Sequence, residues 1–504
     1  MISHRLSEYV SEVGPIASSV PSLSGDPVVT QVTYDSREVI PGALFICKGV
    51  HFELSYLRQA VERGTVAYIC ERACPDVEIP AIVVTDIREA IARAGTLFYD
   101  HDWDSLTLVG VTSTKGKSTT TTLIHEILVA WAEATGKPRP GILTSIVDED
   151  GVSTEEATRT TPETLDLYRH LHNAAVSNLG FMCVEVSSQA LRYKRVANVR
   201  FEVGCFLNIS EDHISPHEHP DYEDYLSAKL EIFAQSRMAV VNMRTQDLDR
   251  VMEASARCER RVTFALREPG ADDVSADVVG HGIRATPNGQ EFTAEVFGET
   301  YEFAIGMPGS FNVENALAAI AASWCLGVPV EHIREGLLVA RVPGRMEVFH
   351  LRRGTTVIVD YAHQKLSVQT LLEWAKKDYP SSPISMVFGA PGEKAWNRRG
   401  EFGLLAGENA DEIYLTEEDP GEVSVEEICQ EIDEHVRATG HKPSHIMPDR
   451  RAAIARAVRE APDDGLVLIL GKGSERWQYR GVAAVTVPSD VDTVRELLAG
   501  DMAS

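Results

Sequence analysis

Basic residues are in short supply: 48 Lys and Arg stand against 75 Asp and Glu, for a formal net charge of −27. That balance excludes a nucleic-acid backbone as the main partner, because duplex binding needs basic surface. It leaves room for small anionic substrates, since a few local Arg and Lys can dominate a cleft. Long apolar runs are missing too. LVLIL is typical of the longest and falls far short of the roughly 20 residues that span a bilayer, so no membrane insertion is expected. The N-terminal stretch MISHRLSEYVSEVG is charged and has no apolar core, so no signal peptide is expected. Cysteines are few and scattered, at 47, 70, 74, 183, 205, 258, 325 and 429. Several lie in strand-like apolar runs, such as Cys183 in GFMCVEV, which predicts buried reduced thiols rather than disulfides or zinc ligands. There are no tandem repeats and no low-complexity segments. Together these absences point to the cytoplasm.

What is present is an ordinary globular composition, 44% hydrophobic and 24% charged, in a chain of 504 residues. That length is too great for one core. Texture suggests three α/β domains, at residues 1–103, 104–342 and 343–504. The first has short apolar runs, ALFICKG, VAYICE and AIVVTD, between helical stretches. The second has near-continuous apolar strands, LTLVGVT, FMCVEVS, VGCFLNI and MAVVNM, as parallel strands buried on both faces require. It then switches to alternation over 273–308, with a hairpin signal at Asn288-Gly289. A helix follows at NVENALAAIAASWCL. In the third domain TTVIVDY, PISMVFG, EIYLT and LVLILG alternate with helical segments. This predicts a doubly wound, Rossmann-like sheet whose strand ends carry binding residues.

The strongest local signal is GVTSTKGKSTTT, Gly110 to Thr121. A strand, a tight polar turn and a helix in that order form a phosphate loop: backbone N–H groups and the helix N-terminus wrap a polyphosphate. Lys117 can neutralise β/γ-phosphates and Ser118 can place a hydroxyl on Mg²⁺. Five residues rather than four separate Gly110 from Gly116. In VEVSSQALRYKRV, Glu185 ends a buried strand, where a carboxylate needs either a cation bound to phosphate or an ion pair to Lys or Arg. His213 follows another strand, and Lys229 sits on a predicted helix. Each alone would more often be structural or solvated.

VTSTKGKST resembles the longer phosphate loop of the Mur ligase family, with Ser113 where the family usually has glycine. A position with φ > 0 would strain a serine. VEVSSQAL, the stretch ending in SAK, GSFNVENALAA, VPGRMEV and VIVDYAH also resemble family motifs, in order, across about 470 residues. The family usually continues the last of these with TPDS, where this chain has QKLS. The resemblance implies an N-terminal uridine-nucleotide domain, a central ATPase domain and a C-terminal Rossmann-like domain. It implies that Thr114, Lys115, Gly116, Lys117, Ser118 and Thr119 bind ATP, with Asn315 at the adenine and Arg345, Asp360 and His363 reaching in from the third domain. Two Mg²⁺ ions follow from it: one served by Ser118 and Glu185, the other by Glu185, His213 and a carbamylated Lys229 (N6-carboxylysine). VTYDSREV and TRTTPETLDLY resemble the members that add the third peptide residue. This implies that Ser36, Arg37, Thr160, Thr161, Ser187 and Arg195 hold UDP-MurNAc-L-Ala-D-Glu. Lys117, Glu185, His213 and Lys229 would form the catalytic set. The implied reaction converts the substrate carboxylate to an acyl phosphate, which the amine of a small diamino acid attacks. A monomer is expected.

The added amino acid is read from TEEDPGEVS, Thr416 to Ser424. Diaminopimelate-adding members carry an Arg in DNPR to hold a distal carboxylate. Here Gly421 replaces it, while Glu418 and Asp419 offer carboxylates to a distal ammonium. Arg399 is placed by resemblance for the α-carboxylate and Glu475 for the α-amine side. L-Lysine is favoured, with L-ornithine, one methylene shorter, close behind and meso-diaminopimelate less so. The competing readings are a folate polyglutamylating ligase, a degenerate nucleotide-dependent binding partner, and a P-loop switch protein or small-molecule kinase.

Overall fold

The computed structural model describes residues 3–21, 25–49, 52–211, 214–215, 218–267, 270, 274–286, 289–351, 353–393 and 395–503. Two compact units emerge: Met1–Gly282 with Thr293–Phe303 and Glu314–Leu338, and Ile283–Phe292 with Ala304–Val313 and Val339–Ser504.

The first unit opens with a five-stranded sheet ordered Ala17–Ser19, Ala81–Val84, Ala67–Cys70, Ala43–Ile46, Gln31–Thr33. All its neighbours are parallel except the first pair. Helix Ile87–Phe98 shows why the sequence folds this way. Asp86 caps it by accepting from the Arg88 and Glu89 amides. Its apolar stripe, Ile87, Ala90, Ile91 and Ala94, then packs with Leu44, Ile46 and Ile69 of the sheet.

The larger sheet runs Thr154–Glu156, Val147–Glu149, Gly141–Leu143, Phe181–Glu185, Thr107–Thr112, Phe201–Phe206, Ser236–Asn242, Arg260–Leu266, Val278–Thr286, Gly289–Val296, Glu299–Ile305. Strand Thr107–Thr112 pairs in parallel with Phe181–Glu185 on one side and Phe201–Phe206 on the other. The chain therefore leaves this strand in one direction and later returns to its opposite flank. Such a switch point opens a crevice at the carboxyl ends of the strands, and the phosphate loop follows there. Asn288 of the predicted hairpin lies outside the described residues; strands Val278–Thr286 and Gly289–Val296 flank it.

The second unit holds a six-stranded sheet, Glu347–His350, Thr356–Asp360, Leu466–Leu470, Ile384–Phe388, Glu412–Leu415, His445–Ile446, parallel except at its first pair. The two-residue period divides its side chains. Ile358, Met386 and Leu468 pack with Leu371, Phe402 and Ile432. Val357, Val387, Val467 and Ile469 pack with Ile454 and Val494. Both faces are covered, as a doubly wound sheet requires.

No described helix is long and apolar enough to cross a membrane. All eight cysteines are free thiols. Full burial holds for Cys70, Cys183, Cys205 and Cys429, whereas Cys47, Cys74, Cys258 and Cys325 are half-buried; Cys47, Cys74 and Cys258 lie in connecting segments and Cys325 ends a helix.

Candidate active site

Strand Thr107–Thr112 delivers the loop 113–116, and helix Lys117–Thr135 begins at once. Gly116 makes the turn with φ +86, and a Cβ there would stand 2.3 Å from Asn315 Oδ1. Glycine is thus required twice, by conformation and by close approach. Asn315 is buried and lies directly against the loop. Ser113 is not among the residues with positive φ, so serine carries no backbone strain. Its hydroxyl donates to the Lys115 carbonyl at 2.6 Å and tightens the loop.

The Ser113 carbonyl is the focus of the site. Lys117 Nζ donates to it at 2.9 Å and to the Thr114 carbonyl at 3.2 Å. Lys229 Nζ, from helix Tyr222–Leu230, donates to the same Ser113 oxygen at 2.7 Å. Lys229 is 1% exposed and packs over the Tyr225 ring at 4.7 Å. A solvated surface lysine is therefore excluded at this position. The loop is pinned from the neighbouring strand end: Asn208 Oδ1 accepts from the Lys115 amide at 2.9 Å and its Nδ2 donates to the Lys115 carbonyl at 3.0 Å. Thr114 is anchored by Tyr225 OH at 3.0 Å and by the Ser210 amide at 3.1 Å. Thr119 is buried in the first helical turn.

Ser118 Oγ shares a 2.9 Å hydrogen bond with Ser145 Oγ, and the Ser145 amide donates to Glu185 Oε2 at 2.9 Å. Ser118 and the buried Glu185 are thereby bridged through one residue. This donor set suits Mg²⁺, which takes few protein ligands and keeps phosphate and water oxygens. No group of three His, Cys, Asp or Glu gathers as a metal cluster among the described residues, and His213 lies outside them.

Thr161 Oγ1 donates to the Glu185 carbonyl at 2.8 Å and accepts from the Ser187 amide at 3.0 Å. Arg195 donates to the Thr161 carbonyl at 3.4 Å. Thr161, Ser187 and Arg195 are thus one cluster, joined to Glu185; Thr160 is half-buried beside it. Ser36 is buried and bonds Gln59 at 2.6 Å, while Arg37 is exposed and pairs with Asp35 at 2.6 Å. Behind Ser187, Ser188 Oγ meets His219 Nε2 at 2.9 Å, and His219 Nδ1 meets Asp224 at 2.6 Å. This chain, buried at Ser188 and His219, ties the Ser187 turn to the helix bearing Lys229. Burial lowers the His219 pKa, against the pull of Asp224. The neutral ring then donates to Asp224 and accepts from Ser188.

In the second unit the Arg345 guanidinium stacks on Tyr361 at 3.9 Å. Asp360 accepts from the Met346 amide at 2.7 Å and the Ala362 amide at 2.8 Å. Burial pushes the Asp360 pKa up, against Arg345 and those amides. His363 Nδ1 lies 2.8 Å from the Tyr361 carbonyl. Glu475 accepts from Tyr361 OH at 2.7 Å and pairs with Lys472 at 2.6 Å. Lys472, itself buried, also reaches Asp419 at 3.1 Å. Glu418 is 5% exposed, its nearest cation Arg398 is 3.7 Å away, and its Oε2 has no hydrogen-bond partner among the described residues. Burial pushes its pKa up to about 7 despite Arg398 and Arg450. Arg399 is buried and engaged with Glu431 at 2.5 Å and the Gly392 carbonyl at 2.8 Å. Gly421 has φ +60, and a Cβ there would lie 2.8 Å from the Glu393 carboxyl carbon.

Sequence reasoning passed over Asn208, Ser145, Lys48, Arg398 and Lys472. Asn208 lies inside VGCFLNI and Lys48 inside ALFICKG, so position within such a stretch was the one available signal. Nothing in the sequence singles out Ser145.

Residues 111–323 match the Mur ligase middle domain and residues 344–473 the Mur ligase glutamate ligase domain. A UDP-N-acetylmuramoyl-L-alanyl-D-glutamate–L-lysine ligase of Enterococcus faecalis is 34% identical over 504 residues, covering 99% of this chain and 95% of that protein. A UDP-N-acetylmuramyl-tripeptide synthetase of Lactobacillus delbrueckii subsp. bulgaricus is 34% identical, covering 90% of both chains. Among solved structures, a UDP-N-acetylmuramoyl-L-alanyl-D-glutamate–2,6-diaminopimelate ligase superposes with a TM-score of 0.65 at 24% identity, covering 94% of this chain and 95% of that one, which shows the shared fold. With relatives matching almost end to end and two family models spanning the phosphate loop and the C-terminal sheet, the chain belongs to the Mur ligase family.

Proposed function

We propose that this protein is the ATP-dependent ligase that joins L-lysine to the D-glutamyl carboxylate of UDP-MurNAc-L-Ala-D-Glu, a step in making peptidoglycan precursors. It acts in the cytoplasm as a monomer. Residues 1–103 take the uridine nucleotide, 104–342 take ATP and 343–504 take the amino acid. The observation that carries the choice of lysine is the buried Glu418 carboxyl. Glu418 is buried and its Oε2 has no hydrogen-bond partner among the described residues, while the position of the diaminopimelate-binding Arg is Gly421, with Glu393 beside it. A distal ammonium is welcome there and a distal carboxylate is repelled. The 34% identical lysine-adding relative supports the same choice. Ornithine remains the second reading, since one methylene is worth only about 1–3 kcal/mol.

The chemistry follows from the residues. A carboxylate is a poor electrophile, so its oxygen first attacks the γ-phosphorus of ATP. The P–O bond to ADP breaks and an acyl phosphate forms. Lys117 and the loop amides hold the phosphates and stabilise the charge that develops on the transferring group. Mg²⁺ would be held by Ser118 and Glu185, and His213 with a carboxylated Lys229 would hold a second ion; these ions supply charge neutralisation on the phosphate oxygens. Glu418 and Asp419 orient the distal ammonium of lysine, and Arg399 and Glu475 its α-substituents. The α-amine, having lost a proton, then attacks the acyl carbon. The C–N bond forms, the C–O bond to phosphate breaks, and phosphate leaves. Most of the rate comes from positioning and fixed charge.

Phosphate release by the purified protein with ATP, Mg²⁺ and UDP-MurNAc-L-Ala-D-Glu tests this, with L-lysine, L-ornithine or meso-diaminopimelate in separate reactions. Release that depends on lysine is expected. Faster release with diaminopimelate overturns the specificity. No release with any amino acid, despite nucleotide binding, favours a degenerate binding partner.

A further inference from the structure

One group of charges in the first unit has no part in the phosphate chemistry. Glu163, immediately after the Thr160-Thr161-Pro162 stretch, is met by three cations. Lys48 forms a direct ion pair with it, Arg195 lies at 2.7 Å and Arg159 at 3.6 Å. Lys48 also lies over the Tyr34 ring, 4.2 Å from its centre. Among the described residues one other carboxylate enters the cluster's hydrogen bonds: Asp166 accepts from Tyr34 OH at 3.1 Å. Positive charge is therefore in excess here, inside a chain of net charge −27. Arg195 is 9% exposed, and its Nε has no hydrogen-bond partner among the described residues. A buried guanidinium N–H left unmet costs about 1–3 kcal/mol or more, so a cluster built only as a brace would be a poor one. An incoming anion removes both defects.

The surroundings say which anion. The cluster adjoins Thr161 and Ser187, and Tyr34 lies two residues before Ser36, on the loop that also carries Arg37. Burial lowers the Lys48 pKa, partly countered by Glu163, so a second negative charge beside it would be favoured. We propose that Lys48, together with Arg195, binds an anionic group of the uridine-nucleotide substrate, either its diphosphate or a peptide carboxylate, and that Glu163 holds both cations in position. This rests on the functional reading above and adds Lys48, the lysine of ALFICKG, to the substrate site.

The test is calorimetric titration of the full-length protein and its Lys48→Met variant with UDP-MurNAc-L-Ala-D-Glu, with UDP alone, and with a non-hydrolysable ATP analogue as control. A charge-assisted hydrogen bond lost from a partly buried site predicts a loss of about tenfold to a hundredfold in affinity for the full nucleotide substrate. Affinity for the ATP analogue stays within about twofold of wild type, and Lys48→Arg restores most of the loss. A loss already present with UDP identifies the diphosphate, and a loss seen only with the dipeptide substrate identifies a carboxylate; both support the inference. Wild-type binding with undiminished Lys48→Met binding overturns it and leaves the functional reading intact. Equal losses for substrate and ATP analogue also overturn it, since they mark Lys48 as a brace. A wild type that binds no uridine nucleotide brings down the functional reading itself, and this inference with it. Lys48→Gln serves the same comparison if the methionine variant does not fold.

Discussion

Substituting Glu418 by Gln sets stability against function in a way that can be worked through. Burial raises this carboxyl from an ordinary value of 4.5 to about 7, and Arg398, Arg450 and Lys472 only partly offset the effect. One pKa unit is about 1.4 kcal/mol, so the ionised form is penalised in the folded protein by about 3 kcal/mol. The sign is that of an acid with a raised folded-state pKa: the unfolded chain releases the proton first. Stability is therefore lost as pH rises from about 4.5 through about 7, and the full penalty is present above that. Glutamine has the same size and no charge to bury. Glu418→Gln should match wild type near pH 4.5 and become more stable by up to about 3 kcal/mol at pH 8. Lysine recognition should move the other way, with KM for lysine rising about tenfold to a hundredfold. Urea unfolding of the second unit at several pH values, without and with lysine, reads the first effect, and steady-state kinetics read the second. A glutamine variant no more stable than wild type at pH 8, or one with an unchanged lysine KM, refutes the reasoning.

The other expectations are simpler. Lys117→Ala should reduce ligation at least about a hundredfold while leaving uridine-nucleotide binding unchanged, as comparison of phosphate release with calorimetry will show. Asn208→Ala removes two hydrogen bonds from the loop backbone, so KM for ATP should rise about tenfold with little change in KM for lysine. His219→Ala breaks the chain from Asp224 to Ser188 and should lower kcat more than tenfold. His219→Gln, able to donate and accept at once, should recover part of that loss; equal damage by both variants would deny the positioning role.

Some of this was legible in the sequence because its cause is local. The phosphate loop depends on residues within one turn of each other, and Gly116 does what a loop glycine must. The strands of the central and C-terminal sheets are continuous apolar runs because both faces are covered. Thr161, Ser187 and Arg195 could be picked out by motif, though the meeting of the other two on Thr161, one at its hydroxyl and one at its carbonyl, could not. Other parts depend on the third dimension. Asn208 reaches Lys115 because parallel strands end side by side at the switch point, which no spacing along the chain reveals. Arg398 and Arg399 are neighbours in sequence but point to different sides of a helix. The first approaches Glu418 and the second is held by Glu431 and backbone carbonyls. Lys48 looked like the end of a strand motif, and its partner Glu163 is 115 residues away.

Gly421 bears on how specificity could change over generations. An arginine arriving there first would meet a left-handed backbone, at about 1–2 kcal/mol, and the Glu393 carboxyl 2.8 Å from its Cβ. The Glu393 carboxyl is the far end of a flexible side chain and can swing aside, so the lasting cost is the turn itself. On the proposed reading, a change toward a distal-carboxylate substrate at this position asks for a relaxed backbone as well as a new cation. The turn thus sets a toll on that change that the charge of the side chain alone does not.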